Sequence, residues 1–464
     1  VTSRWIDTGE AVTHGLSNAG VKTMQVNKNR KPTHRAGTPP IDTAPPEGER
    51  IPSGVAEMAA TPDSGDLCAR VGERGSLLAP EQMGLVLDWL DTRLRQQPCL
   101  RYLDLSGQRL TLQMCKRLGQ LLSENTQLKG LKVQRCNMGA KGLVQLLDGL
   151  RGHDGFALCF GSVVLAIDKA VCNAVAKCQA THIDMSCVRA PEKMMMALIK
   201  ALGSNPWIRS LDLSGFSLGK HIEPLLMKNQ LTRLRLWNVW PAGDYQMVDL
   251  LRALGCCSSM IELDLAGIAI DSAPEAKTLR SIARHSNLQV LSLSLSNPQL
   301  ALNTLLGVYA EERTSIRKLD LSKNRRCGKA FDLLVKALQT NPQLHELSLS
   351  DCALTNKHGR RLLSFFRERL ALARADDKSL DARWSLRSID LDRNDMNQQL
   401  VTEIRGIVAE NRQRLACKGL KTVIGWGQRN VPDDMLRLIV GYAGHVDAPE
   451  RDATLAALSA MAPP

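Results

Sequence analysis

Leu100-Arg-Tyr-Leu103-Asp-Leu105-Ser-Gly-Gln-Arg-Leu110 places leucines at the first, fourth, sixth and eleventh positions of one short phrase. The alternation of Leu103 and Leu105 predicts a short strand with one apolar face. Behind it Met114, Leu118, Leu121 and Leu122 fall at helical spacing, and Ser123-Glu-Asn-Thr then breaks the pattern. The phrase returns. Leu100, Leu128, Gly155, Ala180, Ile208, Leu231, Met260, Leu288, Ile316, Leu344 and Leu386 each open a copy, most of them about 28 residues apart. Polar breaks such as Ser204-Asn205-Pro206, Thr340-Asn341-Pro342 and Glu410-Asn411 end the helical stretches and redirect the chain. One such unit cannot hide its apolar side, so consecutive units must stack.

Units of this length with a full helix each resemble the ribonuclease-inhibitor-like subclass of leucine-rich repeats, over roughly Leu100 to Gly425. The resemblance implies an α/β solenoid, a horseshoe whose parallel strands line the concave side and whose helices pack outside. It also implies Asn or Cys at the ninth position, where the side chain ties down the loop backbone. Cys136, Asn324, Cys352 and Asn394 match; Gln108, Val163, Val188, Phe216, Val239, Ile268 and Ser296 depart. Between Leu344 and Leu386 the spacing grows to about 42 residues, which predicts a lengthened outer helix or an inserted loop around Arg367 to Trp384.

Four segments are expected. Residues 1–75 carry Pro32, Pro39, Pro40, Pro45, Pro46, Pro52 and Pro62 among many Thr, Ser and Gly, and read as a disordered tail. Its Lys28, Arg30, Lys31 and Arg35 form a basic cluster, read as solvated. Residues 76–99 hold a helical apolar stripe, Leu77, Leu78, Met83, Leu85, Val86, Leu87, Trp89 and Leu90, suited to cap the open end of the first repeat. Residues 100–425 form the array, and residues 426–464 a C-terminal capping helix and tail.

The chain has 60 Lys and Arg against 47 Asp and Glu, a net charge of +13. That charge raises nucleic acid as a partner, but aromatics are few and no nucleic-acid-reading motif occurs, so a protein partner is expected instead. No stretch reaches the roughly 18 apolar residues of a membrane span. The 13 cysteines are scattered, with no Cys-x-x-Cys pair, and read as reduced, buried small hydrophobes in a soluble cytosolic chain. No sequon for N-glycosylation is present.

Positions three, five and seven of the phrase alternate away from the leucines and predict the concave surface, from Tyr102, Asp104 and Ser106 in the first repeat to Ser388, Asp390 and Asp392 in the last. This face reads as mildly acidic, with Asp212 and Asp264 among its members. The sixth repeat differs: Leu231-Thr-Arg233-Leu-Arg235-Leu-Trp237-Asn-Val-Trp240 sets two guanidinium groups and an indole there. Arg and Trp offer large rigid surfaces with polar handles, so Arg233, Arg235, Trp237 and Trp240, flanked by Asp212 and Asp264, are the candidate partner-binding residues.

No enzyme is expected, and neither cofactor nor metal. Gly15 to Thr23 imitates a phosphate loop with one residue too many, and no Gly-x-Ser-x-Gly or His-Glu-x-x-His occurs. His182 beside Asp184 reads as structural. The tail, the repeats and the missing secretory signal together resemble type III secreted effectors that pathogenic bacteria inject into host cells. Two rivals are an activator of Ran-type GTPases, whose acidic tail is absent here, and an F-box-like ubiquitin-ligase adaptor, on the strength of Val431 to Tyr442. A capping helix is the plainer reading of that stretch.

Overall fold

The structure is a computed structural model that describes residues 55–60, 67–71, 77–96, 100–153, 155–162, 167–228, 230–295, 299–375 and 384–423. Eleven short strands form its spine: β3 (Leu100–Asp104), β4 (Gly130–Lys132), β5 (Phe156–Cys159), β6 (Ala180–Asp184), β7 (Ser210–Asp212), β9 (Arg233–Arg235), β11 (Glu262–Asp264), β12 (Val290–Ser292), β13 (Lys318–Asp320), β14 (Glu346–Ser348) and β15 (Ser388–Asp390). They pair in parallel, in sequence order. Register is fixed by the leucine of the fourth position: Leu103 faces Leu131, then Leu158, Ile183, Leu211, Leu234, Leu263, Leu291, Leu319, Leu347 and Ile389. A slip of one residue would turn every one of these side chains out of the core.

Helices connect the strands: α1 (Pro80–Gln96), α2 (Leu112–Glu124), α3 (Ala140–Gly149), α4 (Lys169–Lys177), α5 (Glu192–Ser204), α6 (Glu223–Met227), α7 (Met247–Gly255), α8 (Ala273–Ala283), α9 (Gln299–Glu311), α10 (Phe331–Thr340), α11 (Asn356–Ala375) and α12 (Gln398–Val423). Neighbouring helices pack together, and one continuous apolar core fills the space between them and the sheet. The molecule is an α/β leucine-rich repeat solenoid. A second sheet of two parallel strands, β8 (Ser217–Leu218) and β10 (Trp240–Pro241), lies on the loop side of the fifth and sixth repeats.

Loops are held by the ninth position, as the resemblance implies. Cys136 and Cys352 donate S–H to the Leu105 and Leu321 carbonyls, each at 3.1 Å. Asn324 donates to Leu293 and Leu321, and Asn394 to Leu349 and Leu391. Where the position departs from Asn or Cys, Val188, Phe216, Val239 and Ile268 are buried and hold the loop by packing. Gln108 accepts the Leu78 N–H at 3.0 Å and so ties the cap segment to the first repeat. Val163 and Ser296 lie outside the described residues.

Of the two readings of the spacing after Leu344, the lengthened helix is the one observed. The extra length after Leu344 makes α11 the 20-residue helix Asn356–Ala375, fixed to α12 by Arg367–Glu403 and Arg374–Glu410 pairs. Trp384 closes the stretch by stacking on Phe366 at 5.5 Å. Regular structure also begins before the cap, because β1 (Val55–Ala60) and β2 (Leu67–Val71) form an antiparallel pair and β2 continues in parallel onto β3. Proline density averaged over the tail hid two proline-free windows, Pro52 to Pro62 and Pro62 to Pro80; the open sheet edge at β3 offers backbone partners to β2 in the second, and β2 in turn to β1 in the first. Within 76–99 the helix is α1, Pro80–Gln96, with Met83, Val86, Leu87 and Leu90 of the expected stripe buried, while Leu77 and Leu85 stay exposed because they fall off the face turned to the first repeat.

Candidate functional site

Each repeat turns from strand to loop at its eighth position, and that residue is left-handed in all eleven units. It is Gly107, Gly215 and Gly267 in three, and Arg135, Ser162, Cys187, Asn238, Leu295, Lys323, Asp351 and Arg393 in the others. The turn carries the ladder one step past the strand: Arg135 N–H reaches the Gly161 carbonyl, Asn238 that of Ala266, and Lys323 that of Ser350. These bonds hold non-glycine residues in a conformation they otherwise avoid.

The aspartates of position five serve this turn. Asp104, Asp184, Asp212, Asp264, Asp320 and Asp390 each accept, through one carboxylate oxygen, the backbone N–H two residues on, at 2.8–3.0 Å. Asp212 and Asp264 were expected as partner contacts. Half of each carboxylate is committed to its own loop, so their first role is to build the surface.

Arg233 and Arg235 lie where the alternation puts them, on the strand face away from the leucines and about one third exposed. Each is held across rungs. Arg235 reaches Asp212 at 3.5 Å on one side and Asp264 at 3.3 Å on the other. Arg233 pairs with Glu262 at 3.2 Å and lies 3.4 Å from the ring of His182. Burial, and then the Arg233 charge, hold the His182 imidazole down at about 4, so it stays neutral and unsuited to proton transfer near pH 7. Burial, and then the neighbouring Asp184, push the Asp212 carboxyl up to about 7 against the pull of Arg235.

Trp237 and Trp240 turn elsewhere. Trp237 comes one residue before left-handed Asn238, and with Trp240 it lines a cleft of about 1060 Å³ on the loop side of the fifth and sixth repeats. Met195, Met196, Ile199 and Phe216 add apolar walls, with Arg189 and Lys220 among the polar lining. Trp240 is 48% exposed at the end of β10. The six candidate residues therefore split into a charged strut on the sheet and an aromatic cleft beside it. The alternation rule alone did not show this, because it stops at the turn.

Among the described residues no group of His, Cys, Asp and Glu is placed to hold a metal ion, and no helix is long and apolar enough to cross a membrane. Cys115, Cys136, Cys159, Cys172, Cys178, Cys257, Cys327 and Cys352 are buried, while Cys187 and Cys256 are exposed. Burial raises Cys115 and Cys178 to about 11 and Cys136 to about 12, which keeps those thiols protonated and poor nucleophiles. The F-box-like stretch Val431 to Tyr442 lies outside the described residues.

No family model and no curated protein matches the chain. Among solved structures it is similar to an internalin from Listeria monocytogenes, at 12% identity over 69% of this chain and 92% of that one, with a TM-score of 0.32. It is also similar to a structure of the Rad7 and Elc1 complex in yeast, at 15% identity over 70% of this chain and 86% of that chain, with a TM-score of 0.40.

Proposed function

We propose that this solenoid is a non-enzymatic scaffold that docks a protein partner at the sixth repeat, with Trp237 and Trp240 as anchors and Arg233 and Arg235 as the adjoining charged rim. The observation that carries the reading is Trp240, a large indole left 48% exposed on the rim of a cleft of about 1060 Å³ with apolar walls at Met195, Met196, Ile199 and Phe216 and a polar part at Arg189 and Lys220. A partner side chain entering that cleft gains apolar burial against rigid aromatic surface, the composition typical of interface hot spots. Asp212 and Asp264 support the site by fixing Arg235.

The test is quantitative affinity capture with wild type, the Trp237→Ala/Trp240→Ala pair and the convex-face variant Arg284→Ala. A protein retained by wild type and Arg284→Ala, but lost by the tryptophan pair, supports the docking site. Equal capture by all three refutes it. The finer reading, an effector delivered into host cells, is carried by the composition of residues 1–75, and a translocation reporter fused behind that segment decides it.

A further inference from the structure

The second residue of each late repeat stands just ahead of its strand, and the parallel ladder already runs through it. In the last three repeats this residue is Arg317, His345 and Arg387. The His345 N–H donates to the Arg317 carbonyl at 2.6 Å, and the Arg387 N–H to the His345 carbonyl at 2.8 Å. The three therefore occupy adjacent rungs about 4.8 Å apart, a histidine between two arginines. Burial, and then the charges of Arg387 and Arg317, hold the His345 imidazole below its ordinary range, while Glu346 pulls the other way. That carboxylate is already paired with Lys318 at 3.1 Å.

Arginines at this position are elsewhere tied to the fold. Arg101 donates to the Gln127 carbonyl at 2.9 Å, and Arg209 to the carbonyl of Pro206, three residues before it, at 2.7 Å. The carbonyls that correspond to Pro206 in the late repeats are taken by other donors. Thr314, three residues before Arg317, accepts the Gln343 side-chain amide. Trp384, three residues before Arg387, accepts the Asn411 amide at 3.1 Å. Among the described residues the side chains of Arg317 and Arg387 have neither a hydrogen bond nor an ion pair, and both residues are exposed. The fold gathers positive charge over three rungs and leaves its donors unmet.

We propose that Arg317, His345 and Arg387 form a binding site for a phosphate group, either the free ion or the phosphate of a phosphorylated side chain on a protein partner. A phosphate monoester carries about −1.5 to −2 charges and three acceptor oxygens, so one anion can take a donor from each of the three rungs. A carboxylate offers two oxygens and a single charge, and leaves one rung unmet. Guanidinium forks suit such oxygens, because paired N–H donors reach them together. A bound dianion also opposes the field of the two arginines and draws a proton onto His345, which couples binding to the protonation of that ring. The site precedes the strands of the last three repeats, whereas the tryptophan cleft follows the strands of the fifth and sixth. It stands independently of the docking site proposed there.

The experiment follows the histidine ring signals of the full chain by NMR while sodium phosphate replaces sodium chloride at constant ionic strength, with His345 assigned through His345→Gln. Inorganic phosphate should move the His345 signal saturably and raise its titration midpoint. Arg317→Ala/Arg387→Ala should weaken that binding at least about tenfold, while Arg209→Ala, at an equivalent but satisfied position, leaves it unchanged. The signal of His153, buried and hydrogen-bonded to the Leu122 carbonyl at 2.7 Å, reports that each variant is folded. Without phosphate, the double variant should raise the His345 midpoint, because two neighbouring cations are gone. A capped phosphoserine amide that binds at least as well as inorganic phosphate assigns the site to a phosphorylated partner, and binding of inorganic phosphate alone assigns it to the free ion. The absence of saturation, equal binding by the double variant, or an unmoved midpoint in that variant overturns the proposal. Equal binding of a capped glutamate amide overturns it as well.

Discussion

At most sites replacing alanine by glycine weakens a fold; at the eighth position of these repeats the sign should reverse. Arg135 is exposed and held at φ 55°, with its N–H donated to the Gly161 carbonyl at 3.3 Å. Arg135→Ala and Arg135→Gly both remove the side chain and keep that bond, so their difference isolates the backbone. An L-residue in the left-handed region costs about 1–2 kcal/mol, and the extra freedom of glycine in the unfolded chain costs about 0.4–1 kcal/mol. Glycine should therefore exceed alanine by roughly 0.5–1 kcal/mol. At Lys200, exposed within α5, alanine should instead exceed glycine by about 1 kcal/mol. Long arrays lose strict all-or-none unfolding, so the suitable readout is native-state amide exchange of the second and third repeats. If alanine equals or beats glycine at Arg135, the left-handed turn is not imposed by the ladder and the account of the loops fails. Gly267→Ala gives the converse check, since its new Cβ would also meet the Asn238 nitrogen at 3.3 Å.

Asp212→Asn should stabilise the protein increasingly as pH rises from about 4 to about 7, and by a constant amount above that. Its carboxyl is raised from 3.8 to about 7, so its stabilising contribution is complete below the unfolded value and is lost as pH rises through 7. The amide keeps an acceptor for the Ser214 N–H, and the gain is on the order of a few kcal/mol at the alkaline end; a pH-independent difference in urea midpoint contradicts it. Asn341→Ala should cost about 1–3 kcal/mol, because the buried amide donates to the carbonyls of Tyr309 and Ala337 and accepts the Thr314 N–H. Loss of amide-exchange protection confined to the repeats around α9 and α10 would check it, and an unchanged pattern would count against it. Trp240→Ala, at a 48% exposed site, should leave the unfolding midpoint in place while partner capture falls.

The architecture was legible because burial imposes it on composition. Every residue that opens the phrase, from Leu100 to Leu386, begins one rung of the ladder, and the alternation at Leu103 and Leu105 named the face that packs. The eighth-position turn was not legible. Arginine, serine, cysteine, asparagine, leucine, lysine and aspartate all occupy it, since in every repeat before the last a backbone bond to the next repeat, and no side-chain preference, holds the conformation. The site was half legible for a related reason. Alternation gives the face of Arg235, but its hold on Asp212 and Asp264 depends on register between repeats more than twenty residues apart. Trp237 escaped the rule because the chain leaves strand geometry at Asn238, and its side chain joins the cleft.

This division sets what kind of partner the docking site proposed at the sixth repeat would take. Arg235 already lies between the carboxyl groups of Asp212 and Asp264, so an acidic group on a partner must compete with them for the guanidinium. The same holds for Arg233 with Glu262. Pre-ordering by those pairs lowers the entropy lost on contact, which favours the arginines as shape and stacking surface over charge readers. An apolar side chain entering beside Trp240 faces no such competition and gains roughly 25 cal/mol for each Å² it buries. Affinity at this site should therefore follow the cleft, with Trp240→Ala costing more than Arg235→Lys, and its dependence on salt should be weak.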